Sequence, residues 1–275
     1  MRCVDDLSAA SAPGAGADGA AGLAAGGVEV VLEQADPAHV AGMDAVIHLA
    51  ALPGVRSARS PSLLRAVNVE LAERLACAAA REGARFVFAS SSSVYGNAPV
   101  LPTPEDARLA PLNAYAESKV AAEAAVRGQG GDPVVVRPFT VYGPGQRPDM
   151  AFARWIRALA GGEPLPWHAG PGTARDFTYV DDVVSGVVAA LRHGRPGRAY
   201  NLSGWRPVAV REALALLAGG REPHLEQLAS SATEAHVTHG CGRRAAEELR
   251  YAPRVELADG IRHQLAAASP GLLAA

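Results

Sequence analysis

Short runs of β-branched and aromatic residues alternate along the chain with longer segments in which apolar residues recur at helical spacing. Such runs predict strands, which we place at 2–4, 28–32, 44–49, 85–89 and 133–137. The run at 133–137 shows no polar alternation, as expected for a strand that is buried on both faces. A strand followed directly by a helix is predicted at 177–191.

Apolar positions with a helical repeat predict the helices. The segment 61–82 shows the repeat on a face that carries Leu64, Val67, Leu71, Leu75 and Ala79. Further helices are predicted at 114–127, near 209–218 and near 242–249. Residues 8–27, rich in Ala, Gly and Ser, predict a loop or a weak turn of helix, and Gly and Pro interrupt the pattern at 143–176. Because strands and helices alternate, we expect an α/β fold with a parallel sheet.

Composition narrows the classes of protein that this chain can represent. Of its 275 residues, 49% are hydrophobic and 20% are charged, which is typical of a soluble globular protein. The net charge of −2 argues against a large nucleic-acid surface. No apolar run reaches the roughly 18 residues of a membrane span, and we recognise no signal peptide. Cys3, Cys77 and Cys241 form no disulfide framework, so we expect a cytoplasmic protein. We predict no metal site, because the histidines at 236 and 239 have no partner cluster.

Lys119 is the only lysine among the 26 basic residues. It follows Tyr115 by four positions, so the two side chains share one face of the predicted helix. A cation near a phenol lowers the pKa of the phenol and makes it a usable acid or base near neutral pH. The alternative is a lysine that survives by chance on a solvated helix surface.

A run of four serines, Ser90 to Ser93, follows the apolar strand at 85–89. The run lies at the carboxyl edge of the predicted parallel sheet, where open α/β sheets bind ligands. A serine hydroxyl at this edge could bind a substrate hydroxyl or carbonyl. A serine-rich turn that only caps the next segment is the alternative.

These motifs resemble the extended short-chain dehydrogenase/reductase family of NAD-dependent nucleotide-sugar epimerases and dehydratases, over nearly the whole chain. The matching segments are DAVIHLAA at 44–51, SSSSVYG at 90–96, YAESK at 115–119, RPFTVYGPG at 137–145, RDFTYVDD at 175–182, YNLS at 200–203 and YAPR at 251–254. The resemblance implies a Rossmann-like, doubly wound parallel sheet with a smaller C-terminal α/β substrate domain. Residues 1–142 and 177–204 would bind NAD, and residues 143–176 and 205–275 would bind the nucleotide sugar. It also implies a homodimer formed through the helices at 61–82 and 113–128.

The resemblance implies a role for each matching residue. Tyr115 would be the catalytic base and acid, Lys119 would bind the nicotinamide ribose and lower the pKa of Tyr115, and Ser91 would bind the reacting sugar hydroxyl. The implied cofactor-binding residues are Asp5, Asp6, Glu33, Leu49, Ala50, Ala51, Asn68, Ala89, Ser90, Tyr115, Lys119, Pro138 and Phe139. The implied substrate-binding residues are Ser91, Ser92, Ser93, Thr140, Arg147, Arg175 and Thr178.

Charge explains several of these roles. Asp5 would accept hydrogen bonds from the adenosine ribose, and a carboxylate there favours NAD over NADP, because a 2′-phosphate would meet like charge. Arg175 would hold the nucleotide diphosphate. Arg147 would contact a phosphate or a carboxylate of the substrate.

The resemblance also suggests an activity. The 4,6-dehydratases carry an Asp-Glu pair where this chain has Ser92 and Ser93, and the run at 145–151 resembles UDP-glucuronate 4-epimerases. We therefore expect a nucleotide-sugar 4-epimerase of the UDP-glucuronate or UDP-glucose type, which oxidises the sugar transiently to a 4-keto sugar. The alternatives are a catalytically silent sugar-nucleotide-binding relic or fragment, and a dehydratase, decarboxylase or reductase of the same superfamily.

The family begins with a strand, a GxxGxxG turn and a helix, and this unit is absent before Asp5. The ribose-binding acid normally lies about 20 residues after that turn. A misplaced start of the reading frame and a genuinely truncated relic both explain the gap. The intact site motifs favour the misplaced start.

Overall fold

A computed structural model describes residues 1–5, 15–54, 60–168, 170, 172–220, 223–228 and 232–268, without the side chains of 15–19. The strands are β1 (Arg2–Val4), β2 (Glu29–Val31), β3 (Ala45–His48), β4 (Arg85–Ala89), β5 (Val134–Pro138), β6 (Thr140–Tyr142), β7 (Leu165–Trp167), β8 (Ala174–Tyr179), β9 (Ala199–Leu202), β10 (Pro207–Ala209) and β11 (Leu225–Gln227). The α-helices are α1 (Ala15–Ala25), α2 (Pro61–Leu64), α3 (Leu71–Glu82), α4 (Ala114–Gly128), α5 (Ala151–Ala160), α6 (Val180–His193), α7 (Val210–Leu217) and α8 (Leu257–Ala267). Short 3₁₀ helices lie at Pro37–Val40 and Ser92–Tyr95, and π-helical turns lie at Arg65–Glu70 and Ala245–Leu249.

The central sheet is parallel, as the alternating pattern predicts. Its strand order is β3-β4-β5-β9, and every neighbouring pair is parallel. Within the described residues, β1 and β2 pair only with each other, and β3 pairs only with β4. Two smaller sheets, β10-β8-β6 and β11-β7, lie in the later part of the chain. The α/β class and the Rossmann-like parallel sheet are confirmed.

Helices cover both faces of the central sheet, which explains why β5 shows no polar alternation. Phe88 and Val135 pack in one cluster with apolar residues of α3 and α4. Val87 and Val136, which point the other way, pack with residues of α6. The helical segment at 61–82 runs through α2, the π-helical turn and α3, as its apolar repeat predicts.

A separate apolar cluster lies around Tyr142, at the end of β6, and gathers side chains from α5, α7 and α8. The sequence analysis did not predict the helices α5 and α8. The repeat Phe152, Trp155, Ile156 is present in α5, but the surrounding Gly and Pro residues mask it. Residues 8–27 contain a regular helix, α1, where we expected a loop or a weak turn.

A buried ion pair joins α4 to β5. Both oxygens of Glu123 accept hydrogen bonds from Arg137, at 2.9 Å from Nε and 2.6 Å from Nη2, and both side chains are about 5% exposed or less. Nη1 of Arg137 also donates to the Tyr95 hydroxyl at 2.7 Å and to the backbone carbonyl of Glu105 at 2.8 Å. The Tyr95 hydroxyl in turn donates to Asn201 in β9 at 2.8 Å. This network fixes α4 and the turn after β4 relative to the sheet.

His48, at the end of β3, is a packed residue of the sheet. Its side chain stacks on Phe88 at a centroid distance of 5.9 Å, and the residue is 4% exposed. Its Nε2 has no hydrogen-bond partner among the residues described. Burial and the nearby charge of Lys119 lower the pKa of His48 to about 3. His48 therefore stays neutral at physiological pH.

Replacing Glu123 by Gln should destabilise the protein strongly, because it leaves the Arg137 cation buried without its counter-charge. Losing one partner of a buried ion pair costs about 3–5 kcal/mol, which urea unfolding would detect. Glu212→Gln, which breaks an exposed pair with Arg206 at 3.1 Å, is the control and should change stability little. Equal effects from the two variants would contradict the structural role of the buried pair.

The free energy of unfolding should fall as pH drops from about 6.5 towards 3, in part because of His48. Over that range the unfolded chain binds a proton at His48 and the folded chain does not, so acid favours unfolding. The contribution is about 1.4 kcal/mol per pH unit. His48→Gln should flatten the slope measured by urea unfolding at several pH values, whereas the exposed His193→Gln should leave it unchanged. A slope unaffected by His48→Gln would refute this account.

Candidate active site

The four serines after β4 lie at the carboxyl edge of the central sheet, where the sequence places them. Ser91 caps the 3₁₀ helix Ser92–Tyr95, since its side-chain oxygen accepts a hydrogen bond from the backbone N–H of Ser93 at 3.2 Å. The hydroxyl of Ser93 also donates to Ser91, at 2.9 Å. The serine run therefore serves as a cap and also presents half-buried hydroxyls at the ligand-binding edge of the sheet.

Tyr115 lies in the first turn of α4, next to the serines. The helix begins at Asn113, whose side chain accepts a hydrogen bond from the N–H of Ala116 at 2.9 Å. Tyr115 is half-buried, and its hydroxyl lies close enough to Ser91 for the two side chains to interact. Burial raises the pKa of Tyr115, while the interaction with the Ser91 side chain and the charge of Arg147 oppose that rise. The two hydroxyls predicted to handle the sugar are thus neighbours.

Lys119 lies one turn further along α4 and points into the protein. Its Nζ donates to the backbone carbonyl of Ala89 at 2.8 Å and lies 4.8 Å from the centroid of the Phe88 ring. The residue is 2% exposed, and burial lowers the pKa of Lys119 to about 8. The cation that acts on Tyr115 in this structure is Arg147. An effect of Lys119 on Tyr115 stays a prediction.

Arg147 is held by the loop that follows β6. Its Nε and Nη2 donate to the two carboxylate oxygens of Asp149, each at 2.9 Å. The preceding Gln146 anchors the loop, because its Nε2 donates to the carbonyl of Val141 at 3.1 Å and its Oε1 accepts from the N–H of Ala153 at 3.1 Å. The loop therefore brings a charged side chain close to the Tyr115 hydroxyl.

The surroundings of Lys119 fit the ribose of a pyridine nucleotide. The Ser90 hydroxyl is buried and has no hydrogen-bond partner in the described part of the chain, so its capacity for hydrogen bonding is unused in this structure. Asn68 fixes the turn after β3, because its Oδ1 accepts from the N–H of Leu52 at 2.7 Å and its Nδ2 donates to Ser118 on α4 at 2.9 Å. A cation, an unpaired hydroxyl and a rigid turn thus converge at one sheet edge.

The remaining residues implied for the cofactor lie in different surroundings. Asp5 directly follows β1 and is exposed, while Oε1 of Glu33 lies 2.6 Å from Nε2 of His39. After β3, Leu49 and Ala50 are exposed and Ala51 is half-buried. Pro138, the last residue of β5, is half-buried, whereas Phe139 after it is buried and stacks on Tyr95. Asp6 lies outside the described residues.

The residues implied for the substrate are also in varied surroundings. Nη2 of Arg175 is 3.4 Å from a carboxylate oxygen of Glu234, and its Nη1 donates to the carbonyl of His236 at 3.1 Å. Thr140 is half-buried. Thr178 is 1% exposed, and its hydroxyl has no partner within the described ranges. As folded here, Thr178 does not offer its hydroxyl to solvent.

Two acidic residues near the site were missed by the sequence interpretation. Asp176 is fully buried, and its carboxylate accepts hydrogen bonds from the N–H groups of Gly204 at 2.6 Å and Gly240 at 2.9 Å. It thereby ties two loops to β8 beside Arg175. Asp149 is the partner of Arg147, and its position two residues after an arginine is the only sequence signal that could have suggested it.

Two features are absent from the described residues. No group of three or more histidine, cysteine, aspartate or glutamate side chains in them is arranged to hold a metal ion. Likewise, none of the helices in that part of the chain combines the length and apolar character needed to span a membrane.

Known proteins match this chain in sequence and in fold. The sequence profile of the NAD dependent epimerase/dehydratase family matches residues 31–203. The uncharacterized UDP-glucose epimerase YtcB of Bacillus subtilis (strain 168) is 36% identical over 237 residues, which cover 82% of this chain and 74% of that protein. A dTDP-glucose 4,6-dehydratase of Streptomyces griseus is 33% identical over 231 residues, which cover 81% of this chain and 70% of that protein.

A solved structure has a similar fold over nearly the whole chain. The crystal structure of UDP-glucuronic acid 4-epimerase from Bacillus cereus, in complex with UDP-glucuronic acid and NAD, superposes with a TM-score of 0.89 at 28% identity. The match covers 97% of this chain and 90% of that one. These matches show that the chain belongs to the NAD dependent epimerase/dehydratase family, of the extended short-chain dehydrogenase/reductase type, with NAD as its cofactor.

Proposed function

We propose that this chain is a nucleotide-sugar 4-epimerase that acts on a UDP-sugar of the glucuronate or glucose type. The observation that carries the proposal is that the Tyr115 hydroxyl lies close enough to Ser91 and to the Arg147 cation for both to influence its pKa. The likeness to the Bacillus cereus epimerase and to YtcB supports it. Because the chain is also similar to a dehydratase, the residues of the site have to distinguish epimerisation from elimination.

The residues of the chain would handle the sugar 4-hydroxyl as follows. Ser91 would bind the hydroxyl and hold it against Tyr115. Tyr115, as the phenolate, would take the proton from that hydroxyl and later return it. NAD, when bound, supplies a hydride acceptor that gives the hydride back in the same cycle. Return of the hydride to the other face of a 4-keto sugar would invert C4.

The side chains beside Ser91 favour epimerisation over elimination of water. Elimination needs an acid and a base close to the sugar, in addition to the tyrosine, and the dehydratases of this superfamily use an Asp-Glu pair. By the resemblance of the serine run to that motif, Ser92 and Ser93 would stand at those two positions. An unassisted serine hydroxyl is a poor acid or base near neutral pH, so these two positions would supply no agent for elimination.

Arg147 favours a sugar that carries a carboxylate. In a hexuronic acid the carboxyl group is attached to C5, next to the carbon whose hydroxyl meets Tyr115. A guanidinium that lies close enough to act on the Tyr115 hydroxyl is therefore well placed for that carboxylate. Arg175, near the carboxylate of Glu234, would serve the diphosphate.

Replacing Tyr115 by Phe should reduce the turnover of UDP-glucuronate by about a thousandfold, because it removes the acid and base. NAD binding should change less than twofold, since the ring and its packing remain. Calorimetry and product analysis by chromatography would measure the two effects. Tyr142→Phe, which removes only a long hydrogen bond of 3.4 Å to the carbonyl of Glu256, is the matched control and should keep wild-type turnover.

The products of the wild-type chain separate the alternatives. UDP-galacturonate from UDP-glucuronate, without accumulation of NADH, is the expected outcome. Released carbon dioxide would identify a decarboxylase, and a dehydrated product would identify a dehydratase. Net formation of NADH would identify a dehydrogenase, and net consumption of NADH would identify a reductase. Binding without any conversion would favour a catalytically silent sugar-nucleotide-binding protein.

The pH profile should depend on Arg147. Its positive charge lowers the pKa of Tyr115, so Arg147→Met should raise that pKa. Because the phenolate is the active base, the acid limb of kcat/KM against pH should move to higher pH. Arg262→Met, which breaks a different exposed Arg–Asp pair on α8, is the control and should leave the limb in place. An unshifted limb in Arg147→Met would show that Arg147 does not act on Tyr115.

A further inference from the structure

The guanidinium of Arg147 is only partly used by its partner. Asp149 engages the edge formed by Nε and Nη2, with two hydrogen bonds of 2.9 Å. A guanidinium carries five N–H donors, so both N–H groups of Nη1 and one of Nη2 stay available. Within the described residues these donors have no further hydrogen-bond partner. Arg147 can therefore bind a second carboxylate without releasing Asp149.

The loop around this pair is held in place. Pro148, between the two charged residues, restricts the backbone, and the N–H of Met150 donates to the carbonyl of Arg147 at 3.0 Å. Gln146 anchors the start of the loop to β6 and α5. The hydrogen bonds from Arg147 lower the pKa of Asp149, so its carboxylate is ionised at neutral pH. The loop is thus a rigid support for the guanidinium group of Arg147.

We propose that Asp149 is a positioning residue, which orients the guanidinium of Arg147 beside Tyr115 and thereby gives the site its preference for sugars with a carboxylate at C5. This inference rests on the proposed function, since it names the residue that sets the substrate class of that same site. The basis is the two-point contact between the side chains of Asp149 and Arg147. Asp149 itself does not touch the substrate.

Two opposing effects of Asp149 have to be weighed. Its negative charge repels a sugar carboxylate, but the side chain is 63% exposed, so solvent screens that repulsion. In contrast, the long arginine side chain would adopt many rotamers without a partner, and binding would have to order them. Arg147 is 28% exposed and is held at two points, so most of that ordering already exists before the sugar binds. Orientation should therefore outweigh repulsion, and loss of Asp149 should weaken the binding of acidic sugars.

The experiment compares three ligands by calorimetry on the full chain with saturating NAD. The ligands are UDP-glucuronate, UDP-glucose and UDP. Asp149→Asn should raise the Kd for UDP-glucuronate about tenfold and change the Kd values for UDP-glucose and UDP less than twofold. Asp149→Glu, which restores the charge on a longer side chain, should recover part of the loss. Asp259→Asn, which breaks the exposed pair with Arg262 on α8, is the matched control and should behave like the wild type.

Several outcomes would overturn the inference. Unchanged or tighter binding of UDP-glucuronate by Asp149→Asn would show that Asp149 only competes with the sugar. Equal weakening of all three ligands would show a purely structural role, and unchanged UDP binding confirms that the variant is folded. A wild-type chain that binds the acidic and neutral sugars equally would also contradict the inference.

Turnover measured in the same samples separates this inference from the proposed function. If the wild type prefers UDP-glucuronate and Asp149→Asn loses that preference, the inference holds even when no epimerisation occurs, and only the proposed activity fails. If the wild type epimerises the sugar and Asp149→Asn keeps the preference, the inference alone fails. If none of the UDP ligands binds to the wild type, both fail.

Discussion

The buried ion pair between Glu123 and Arg137 is the constraint on which the site depends. It fastens the middle of α4 to β5, and both Tyr115 and Lys119 project from the same helix. Through Tyr95, the same guanidinium reaches the 3₁₀ helix that begins after Ser91. The two parts of the candidate acid–base site, Tyr115 on a helix and Ser91 on a turn, are thus both held in place through one buried cation, Arg137. Such a pair needs good geometry to offset its desolvation, and the two short hydrogen bonds provide that geometry.

The site combines buried groups whose charges are set by their surroundings. His48 is held neutral, which leaves Lys119 as the charged group beside it under the carboxyl end of β4. Lys119 is fixed by a backbone carbonyl and an aromatic ring, so the geometry suits it to bind a ribose. The charge that reaches Tyr115 comes instead from Arg147, on a loop beyond the central sheet. In the proposed mechanism one cation would therefore serve the cofactor side and another would serve the reacting hydroxyl, and the second is the one that a substrate or a variant of Asp149 would influence.

The strands of the central sheet could be predicted from the chain because each is a short apolar run between turn residues, and β4 has the predicted bounds. The helices α5 and α8 could not, since their apolar faces are short, are flanked by Gly and Pro, and gain stability mainly by packing around Tyr142. The closeness of Tyr115 to Ser91 could be anticipated because each follows from a local motif at the carboxyl edge of the sheet. The pairing of Glu123 with Arg137 could not be anticipated, because it joins two separate elements and neither sequence pattern indicates a partner for its charged residue.

The sequence by itself determined the α/β class with its parallel sheet, and it singled out the candidate acid–base residues, because these depend on the periodicity of apolar residues and on spacing within one helix or one turn. Only the tertiary structure decided which cation faces Tyr115, that Lys119 turns towards Ala89, and that Asp149 holds Arg147. The contact of Lys119 depends on how α4 packs on the end of β4, and the place of Arg147 depends on how the loop after β6 is anchored. Distances between elements that are far apart in the chain are set by packing, and no local pattern of residues records them.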